Sequence, residues 1–227
     1  MAAIDPVAFI RANLPIAPVP SIPEIRLHKA LPTSRVGRLA EQDGDGFGSP
    51  YWAYRWGGGL ALARYVLDRP ECVAGRRILD LGSGSGLVAI AAAKARAAAV
   101  IAAEIDPYAV TAIGLNAEAN EVEVSIVHGD PTAGPPPPVD VVLVGDLFYE
   151  RDLAERVTAF LDDCLEADTA VLIGDPWRAH LPRRRLRKIA DYLVAETGGA
   201  GATPSAVFAF ERGPRRPADA PPASDPN

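Results

Sequence analysis

The chain has 227 residues, 48% of them hydrophobic, and a formal net charge of −6. This size and apolar content fit one substantial domain, and the acidic balance argues against a nucleic-acid partner, because proteins that bind nucleic acids are usually basic. The two cysteines stand far apart and the three histidines are scattered, so neither a disulfide framework nor a metal site is expected.

Residues 1–50 are predicted to be an N-terminal extension that packs on the core. An Asp-Pro pair caps a predicted helix over residues 5–12. Four prolines between residues 15 and 23 then favour an extended path, and residues 23–28 are interpreted as an edge strand or an arm over the domain. The stretch 41–50 is predicted to be a loop, since its two Asp-Gly steps lack the rest of a calcium-binding pattern.

From residue 51 onward, apolar strand-like runs alternate with helical patterns. The predicted strands are 77–81, 100–103, 124–127, 139–145, 170–174, 191–196 and 205–211. The predicted helices are 58–69, 87–97, 108–120, 151–165 and a basic one at 182–190. This alternation predicts an α/β, Rossmann-like doubly wound sheet with helices on both faces. The domain is placed at 51–212, and the Pro-, Arg- and Ala-rich residues 213–227 are predicted to be a disordered tail.

The segment Ile78–Gly86 reads ILDLGSGSG and joins a predicted strand to a predicted helix. Glycines at such a turn let the backbone approach a ligand, and the start of the helix offers free N–H donors. The segment lacks the lysine of a phosphate-binding P-loop and the glycine spacing of a dinucleotide fingerprint. Asp80, two residues before the first glycine, suits an ammonium group better than a pyrophosphate. We therefore predict a site for the amino-acid end of S-adenosylmethionine; the alternative is a glycine-rich turn without a ligand.

Acidic residues follow the predicted strands at their carboxyl ends, where open parallel sheets bind ligands. They are Asp80, Glu104, Asp130, Asp146 and Asp175. Glu104 lies about 20 residues after the glycines, the distance at which an acid hydrogen-bonds ribose hydroxyls in doubly wound folds. Asp106 is a second ribose candidate, but with Pro107 it also fits the cap of the next helix.

Four segments resemble the seven-β-strand protein lysine methyltransferases. They are PYWAYRWGGG at 50–59, DLGSGSG at 80–86, EIDP at 104–107 and GDLFYE at 145–150. With parts of residues 9–28 and GDP at 174–176, they are similar to the bacterial form of the electron transfer flavoprotein β-subunit lysine methyltransferases. The resemblance implies the class I methyltransferase fold, in which a seven-stranded, mostly parallel sheet has an antiparallel last strand.

The resemblance also implies where S-adenosylmethionine binds. The expected cofactor-binding residues are Trp56, Asp80, Gly82, Ser83, Gly84, Gly86, Glu104, Ile105, Asp130 and Asp146. Within this set the glycine loop surrounds the methionine part, Glu104 holds the ribose and Asp130 faces the adenine amino group. Trp56 lines the cofactor pocket or, alternatively, is an ordinary core aromatic.

The segment Asp146–Tyr149 resembles the family's Asp-x-x-Tyr motif after the fourth strand. These two residues are expected to be catalytic, with Asp146 orienting the lysine ammonium and Tyr149 walling the channel. A carboxylate raises the pKa of a neighbouring lysine, whereas desolvation and the sulfonium charge lower it, so the balance stays open. The expected substrate-binding residues are Trp52, Tyr54, Phe148 and Glu150, the last of which alternatively serves as a first-turn acid of the next helix.

The expected function is S-adenosylmethionine-dependent protein-lysine N-methylation of the electron transfer flavoprotein β subunit by a monomer. The alternatives are another acceptor, such as a ribosomal protein or a small amine, and a non-enzymatic protein that binds the cofactor and grips a partner. No apolar run reaches membrane-spanning length, and the first residues lack the basic start of a secretory signal. We therefore expect a soluble cytoplasmic protein without a membrane or nucleic-acid partner.

Overall fold

The computed structural model describes residues 4–37, 50–195 and 201–213. Its helices are α1 (Pro6–Asn13), α2 (Gly57–Asp68), α3 (Leu87–Lys94), α4 (Pro107–Ala119) and α5 (Arg151–Glu166). Its strands are β1 (Ile16–Val19), β2 (Ile22–His28), β3 (Arg77–Leu81), β4 (Ala99–Glu104), β5 (Ser125–His128), β6 (Val141–Gly145), β7 (Ala170–Asp175), β8 (Leu186–Val194) and β9 (Thr203–Phe210). The loop predicted over 41–50, apart from its last residue, and the tail predicted beyond residue 213 lie outside the described ranges.

Seven of the described strands form one sheet in the order β5-β4-β3-β6-β7-β9-β8. The strands from β3 to β7 are parallel, and β9 lies antiparallel between β7 and β8. The predicted seven-stranded α/β sheet with an antiparallel last strand is confirmed. The strand order reverses between β3 and β6, and a ligand site is expected at the carboxyl ends of the strands there.

Helices cover both faces of the sheet, which explains why its central strands are apolar along their length. On one face, α2, α3 and the inward side of β2 form a core that includes Leu60, Ile90 and Ile25. On the other face, α5 packs Phe160 and Leu161 against β6, β7 and β9. The two cores hold the strands rigidly, so that their carboxyl ends can position side chains from distant parts of the sequence.

The predicted basic helix at 182–190 is wrong. Only residues 183–185 form a single turn of 3-10 helix, and the chain then runs as β8, which also contains the first part of the strand predicted at 191–196. Backbone pairing with β9 decides the conformation, because it supplies an antiparallel ladder from Leu186 to Val194 with one register shift between Lys188 and Ala190. The charged side chains find partners along the strand, where Arg187 pairs with Glu211 at 2.6 Å. A run of arginines therefore did not identify a helix.

The N-terminal part contains the predicted capped helix, α1, and an antiparallel hairpin of β1 and β2. The sequence predicted only the second of these strands, because the prolines obscured the first. Two amides of α4 hold the hairpin: Asn116 Oδ1 accepts from the His28 N–H at 2.8 Å, and Asn120 Oδ1 accepts from the Arg26 N–H at 3.0 Å. Asn116 also donates to the Ser85 carbonyl at 2.8 Å, and so connects the hairpin to the glycine loop.

The start of α2 crosses the ends of β6 and β7 at very short range. A Cβ on Gly58 would lie 2.3 Å from the Gly174 carbonyl oxygen, whereas a Cβ on the neighbouring Gly59 would meet no atom within 4 Å. We expect Gly58→Ala to lower the free energy of unfolding by about 3 kcal/mol, because backbone must move to make room. Gly59→Ala is the matched control and should be neutral or slightly stabilising, since alanine favours helix. Urea unfolding of the three proteins measures this, and equal midpoints for the two variants would contradict the close crossing.

Candidate active site

A cavity of about 510 Å³ opens at the carboxyl ends of β3, β4 and β6, and the glycine loop forms part of its wall. Five carboxylates line it: Asp80, Glu104, Asp106, Asp130 and Asp146, of which the buried Asp146 marks its inner end. Aromatic side chains before α2 and after β6 form its mouth. The cavity thus joins six segments that are far apart in the sequence, and four of the five predicted strand-end acids line it, all but Asp175.

Asp80 lies at the end of β3 and is almost completely buried. Its Oδ2 accepts from the Ser83 hydroxyl at 2.5 Å and from the Ala89 N–H of α3 at 2.9 Å. Burial raises the pKa of Asp80 to about 7, although these hydrogen bonds oppose the shift and the nearby Glu104 adds to it. A buried carboxylate of this kind gains a great deal from a cationic ligand, because the ligand's charge offsets its lost hydration.

Glu104 lies at the end of β4 and both of its oxygens are oriented by backbone donors. Oε2 accepts from the Gly84 N–H at 2.8 Å, and Oε1 accepts from the N–H groups of Ile105 and Asp106 at 2.8 and 3.1 Å. The carboxylate therefore faces the cavity in a fixed orientation. Asp106 caps α4, because its side chain accepts from the Tyr108 N–H at 2.7 Å. This is the helix-cap role that the sequence offered as the alternative to ribose binding.

The three loop glycines share a backbone conformation but differ in what surrounds them. Gly82, Gly84 and Gly86 all adopt positive φ, at 64°, 55° and 82°, which favours glycine. A Cβ on Gly82 would press on Leu147 at 2.7 Å, whereas one on Gly84 would come only within 4.0 Å of Trp52. Gly86 does not line the cavity; it precedes α3 and packs against Ile113. The cofactor contact predicted for Gly86 stays a prediction.

Asp130 follows β5 on the far wall of the cavity. Its Oδ1 accepts from both the N–H and the hydroxyl of Thr132, at 2.9 and 2.6 Å. Its Oδ2 lies 3.8 Å from the Arg156 guanidinium of α5. Ile105, also predicted to contact the cofactor, lines the cavity with half of its surface exposed.

Asp146 follows β6 in the left-handed backbone region, at φ 63°. Aspartate tolerates this region better than most residues, and the Gly174 carbonyl fixes the turn by accepting from the Asp146 N–H at 3.0 Å. Its Oδ2 accepts from the Gly58 N–H at 3.0 Å, and its Oδ1 accepts from Arg178 Nε at 2.7 Å. Both oxygens are thus already engaged, which the sequence did not predict.

The mouth of the cavity is aromatic. The Tyr51 ring lies 5.9 Å from Trp56 and 6.3 Å from Tyr149, and Tyr54 lies 6.5 Å from Trp56. Trp52, in contrast, is buried at the base of this group beside Gly84. Burial raises the pKa of the Tyr149 phenol, so that hydroxyl is neutral near pH 8. Trp56 is over a third exposed, and so the core-aromatic alternative for it does not hold.

Two predicted substrate contacts lie elsewhere. Phe148 has no exposed surface and belongs to the core between α5 and the sheet, so its prediction is corrected: a side chain buried there is not available to a substrate. The side chains after β6 alternate between the cavity and the core, which places Leu147 and Tyr149 in the cavity wall and Phe148 behind it. Glu150 is exposed at the N-cap position of α5, where its side chain makes no capping hydrogen bond, and it does not line the cavity; the first-turn acid of α5 is Asp152 instead.

Arg55 and Asn116 were not among the predicted site residues, and Arg178 was expected only to shape the substrate opening, as part of the segment 175–178. Arg178 and Arg55 bring positive charge into the cavity wall, and Asn116 supports the glycine loop from behind. Arg178 stands three residues after β7, the strand next to β6, and this position was the available signal. Arg55 is half-buried, and burial lowers its pKa. Asn116 gave no signal, since an asparagine within a helix is usually solvated.

The donor and acceptor set fits S-adenosylmethionine. The molecule presents an ammonium group, ribose hydroxyls and an adenine amino group, all of which are hydrogen-bond donors. Carboxylates around one cavity provide acceptors for such groups, and the open space at Gly84 lets a ligand approach the backbone. Within the described residues, no cluster of potential metal ligands occurs and no helix is long and apolar enough to cross a membrane.

Comparisons with known proteins agree with this site. A family model described as ribosomal protein L11 methyltransferase (PrmA) matches residues 62–162. The chain is 37% identical over 218 residues to the electron transfer flavoprotein beta subunit lysine methyltransferase of Xenopus laevis, covering 92% of this chain and 88% of the relative. It is also 37% identical over 214 residues to the Homo sapiens protein of the same name, covering 90% and 81%.

Solved structures with low identity support the fold. A precorrin-6y C5,15-methyltransferase from Geobacter metallireducens superposes with a TM-score of 0.51 at 18% identity, covering 66% of this chain and 87% of its own. A 16S rRNA methyltransferase from T. thermophilus gives a TM-score of 0.51 at 21% identity, covering 70% of this chain and 44% of its own. The cavity, the sheet order and the full-length relatives lead to one conclusion: the chain is a methyltransferase that belongs to the electron transfer flavoprotein β-subunit lysine methyltransferase family.

Proposed function

We propose that the chain transfers a methyl group from S-adenosylmethionine to a lysine side chain of the electron transfer flavoprotein β subunit. The match to the named relatives extends over about nine-tenths of the chain. The relatives named for ribosomal protein L11 match a smaller part, such as 41% of the chain for the Geobacter sulfurreducens protein. The extent of the match is the observation that favours the flavoprotein.

In this proposal the cofactor lies along the strand ends. Asp80 receives the ammonium group of the methionine part, the loop from Gly82 to Gly84 surrounds that part, and Glu104 receives the ribose hydroxyls. Asp130 accepts from the adenine amino group. When bound, the cofactor supplies a methyl group already activated on a positive sulfur. The protein must therefore bring a neutral amine close to that carbon in the correct direction and exclude water.

The aromatic mouth is the proposed passage for the target lysine. Its walls are Tyr51, Trp56 and Tyr149, whose faces suit both the alkyl chain and the cationic end of a lysine. Asp146 lies behind them at the inner end of the cavity, next to the glycine loop. This arrangement orients a lysine that enters from the surface toward the strand ends where the cofactor lies.

Replacing Tyr149 separates a packing role from a chemical one. We expect Tyr149→Phe to keep kcat and KM within about threefold of the wild-type values, because the neutral phenol acts through its ring face. Tyr149→Ala should lower kcat/KM at least about tenfold, as it opens the wall and removes the stack on Tyr51. Steady-state methyl transfer with both variants tests this, and a loss in Tyr149→Phe as large as in Tyr149→Ala would instead assign the hydroxyl a catalytic role.

A paired acceptor assay tests the substrate. Purified protein and labelled S-adenosylmethionine are incubated with electron transfer flavoprotein, and separately with ribosomal protein L11, and label on each polypeptide is counted. We expect label on the flavoprotein β subunit and background on L11. Label on L11 alone would overturn the flavoprotein assignment in favour of a ribosomal acceptor. Label on neither, with cofactor binding by calorimetry intact, would overturn it in favour of another amine.

A further inference from the structure

The inner end of the cavity holds an ion pair where a free carboxylate was expected. Arg178 Nε donates to Asp146 Oδ1 at 2.7 Å, and the Asp146 side chain is only 6% exposed. The other oxygen of Asp146 is held by the Gly58 N–H. A lysine ammonium could pair with this carboxylate only by displacing the arginine. A neutral amine would instead lie next to the Asp146–Arg178 pair, whose charges cancel.

Arg178 is anchored independently of Asp146. Its backbone N–H donates to Asp175 Oδ1 at 2.6 Å, directly at the end of β7. Its guanidinium lies over the Trp56 ring, 5.9 Å from the ring centroid. Two-thirds of its side chain is buried. Displacing it would break a charge-assisted hydrogen bond and a cation–π contact together, which disfavours its exchange for a lysine.

We propose that Arg178 is a positioning residue that stays paired with Asp146 and thereby lets the target lysine reach the methyl group as an uncharged amine. This inference rests on the proposed function. In the transfer, the nitrogen lone pair forms the new N–C bond while the electron pair of the broken C–S bond stays on sulfur. The lysine must therefore first lose its proton to solvent, and an unpaired carboxylate at this position would hold that proton in place.

Other titratable groups face this pair from every side of the cavity. They are Tyr51, Tyr54 and Arg55 before α2, Asp80, Glu104, Asp106 and Asp130 at and after the ends of β3 to β5, Tyr149 and Arg156 after β6, and Asp175 on β7. Burial raises the pKa of Asp80 to about 7 and that of Asp175 to about 6, so both titrate below pH 8. Burial raises the pKa of Tyr149 above the ordinary phenol value. A difference between the proteins in the midpoint between pH 8 and pH 10 therefore reports the lysine amine. All the other groups of the cavity are the same in the wild type and in both variants.

The pH dependence of a single turnover tests the inference. Methyl transfer to the flavoprotein is measured from pH 7.5 to 10 with saturating S-adenosylmethionine, for the wild type, Arg178→Gln and Arg178→Lys. We expect Arg178→Gln to move the alkaline midpoint up by about one pH unit and to be about tenfold slower at pH 8, because a lost positive charge at this distance shifts a pKa by that much. Arg178→Lys keeps the charge and should keep the wild-type midpoint.

The alternative results are distinct. If the methyl-transfer rate of Arg178→Gln is lower by the same factor at all pH values, the residue has only a structural role. If Arg178→Gln transfers the methyl group faster than the wild type, the arginine competes with the lysine for Asp146. If Arg178→Gln fails to fold, a midpoint displaced in Arg178→Lys overturns the inference just as well. No transfer by the wild type at any pH would overturn the proposed function itself, and with it this inference.

Discussion

Replacing Asp146 by asparagine is expected to lower kcat about 100-fold or more, with the affinity for S-adenosylmethionine changed much less. The carboxylate pairs with Arg178 and accepts from Gly58, so it fixes the inner wall of the cavity. Asparagine keeps one acceptor but loses the charge-assisted hydrogen bond to Arg178, so this wall of the cavity is no longer held in one arrangement. Losses of this size are typical when one preorganised electrostatic contact of an active site is removed.

Two measurements make this prediction specific. Isothermal calorimetry gives the cofactor affinity of Asp146→Asn, and methyl transfer gives its kcat. Asp152→Asn is the matched control, since Asp152 is an exposed acid on the first turn of α5 that does not line the cavity. Equal losses of affinity and kcat in Asp146→Asn would assign the residue to the cofactor instead of the reaction.

Asp80→Asn should show opposite effects on binding and on stability. Without its charge the site loses its counter-ion for the ammonium group. We expect the affinity for S-adenosylmethionine to fall at least about 100-fold, as is typical when one partner of a buried, hydrogen-bonded charge pair is removed. In the cofactor-free protein, however, the wild-type carboxylate must ionise in a buried position. The variant should therefore be more stable than the wild type at pH 8.

The sign of this second effect follows from the raised pKa of Asp80, about 7 in the folded protein. An unfolded aspartate titrates near 3.9, so the folded state binds the proton more tightly and wild-type stability falls as the pH rises from about 4 to about 7. Asp175, with its pKa raised to about 6, contributes in the same direction and remains in the variant. Urea unfolding at pH 5 and pH 8 measures the change. If the free energies of unfolding of Asp80→Asn and the wild type differ by the same amount at pH 5 and at pH 8, the buried ionisation is contradicted.

The features that local chemistry determines were predictable. Asp80, Glu104 and Asp146 stand at strand ends because buried apolar strands stop where the sheet stops, and parallel strands bring those ends to one edge. The alternation of strands and helices predicted the sheet for the same reason. The cap of α1 follows from Asp5 and Pro6, whose chemistry acts within one turn.

The features that tertiary pairing determines were not predictable. The segment 186–190 has a helical appearance in its charges, yet it forms the first part of β8, whose conformation depends on a ladder with β9. Phe148 lies inside a motif that faces the cavity, and only the strand geometry shows that it points to the other side. Similarly, the Arg178–Asp146 pair joins residues 32 positions apart, on neighbouring strand ends, and no spacing in the sequence indicates it.

Peptide mapping of the product tests the account most directly. Electron transfer flavoprotein is incubated with S-adenosylmethionine and either the wild-type protein or Asp146→Asn, and the β subunit is digested and its methylated positions are identified by mass spectrometry. We predict added methyl groups on lysine side chains of the β subunit with the wild type, and only trace levels with the variant. Methyl groups on another residue type, or equal modification by both proteins, would contradict the assignment of this cavity as a lysine methyltransferase site.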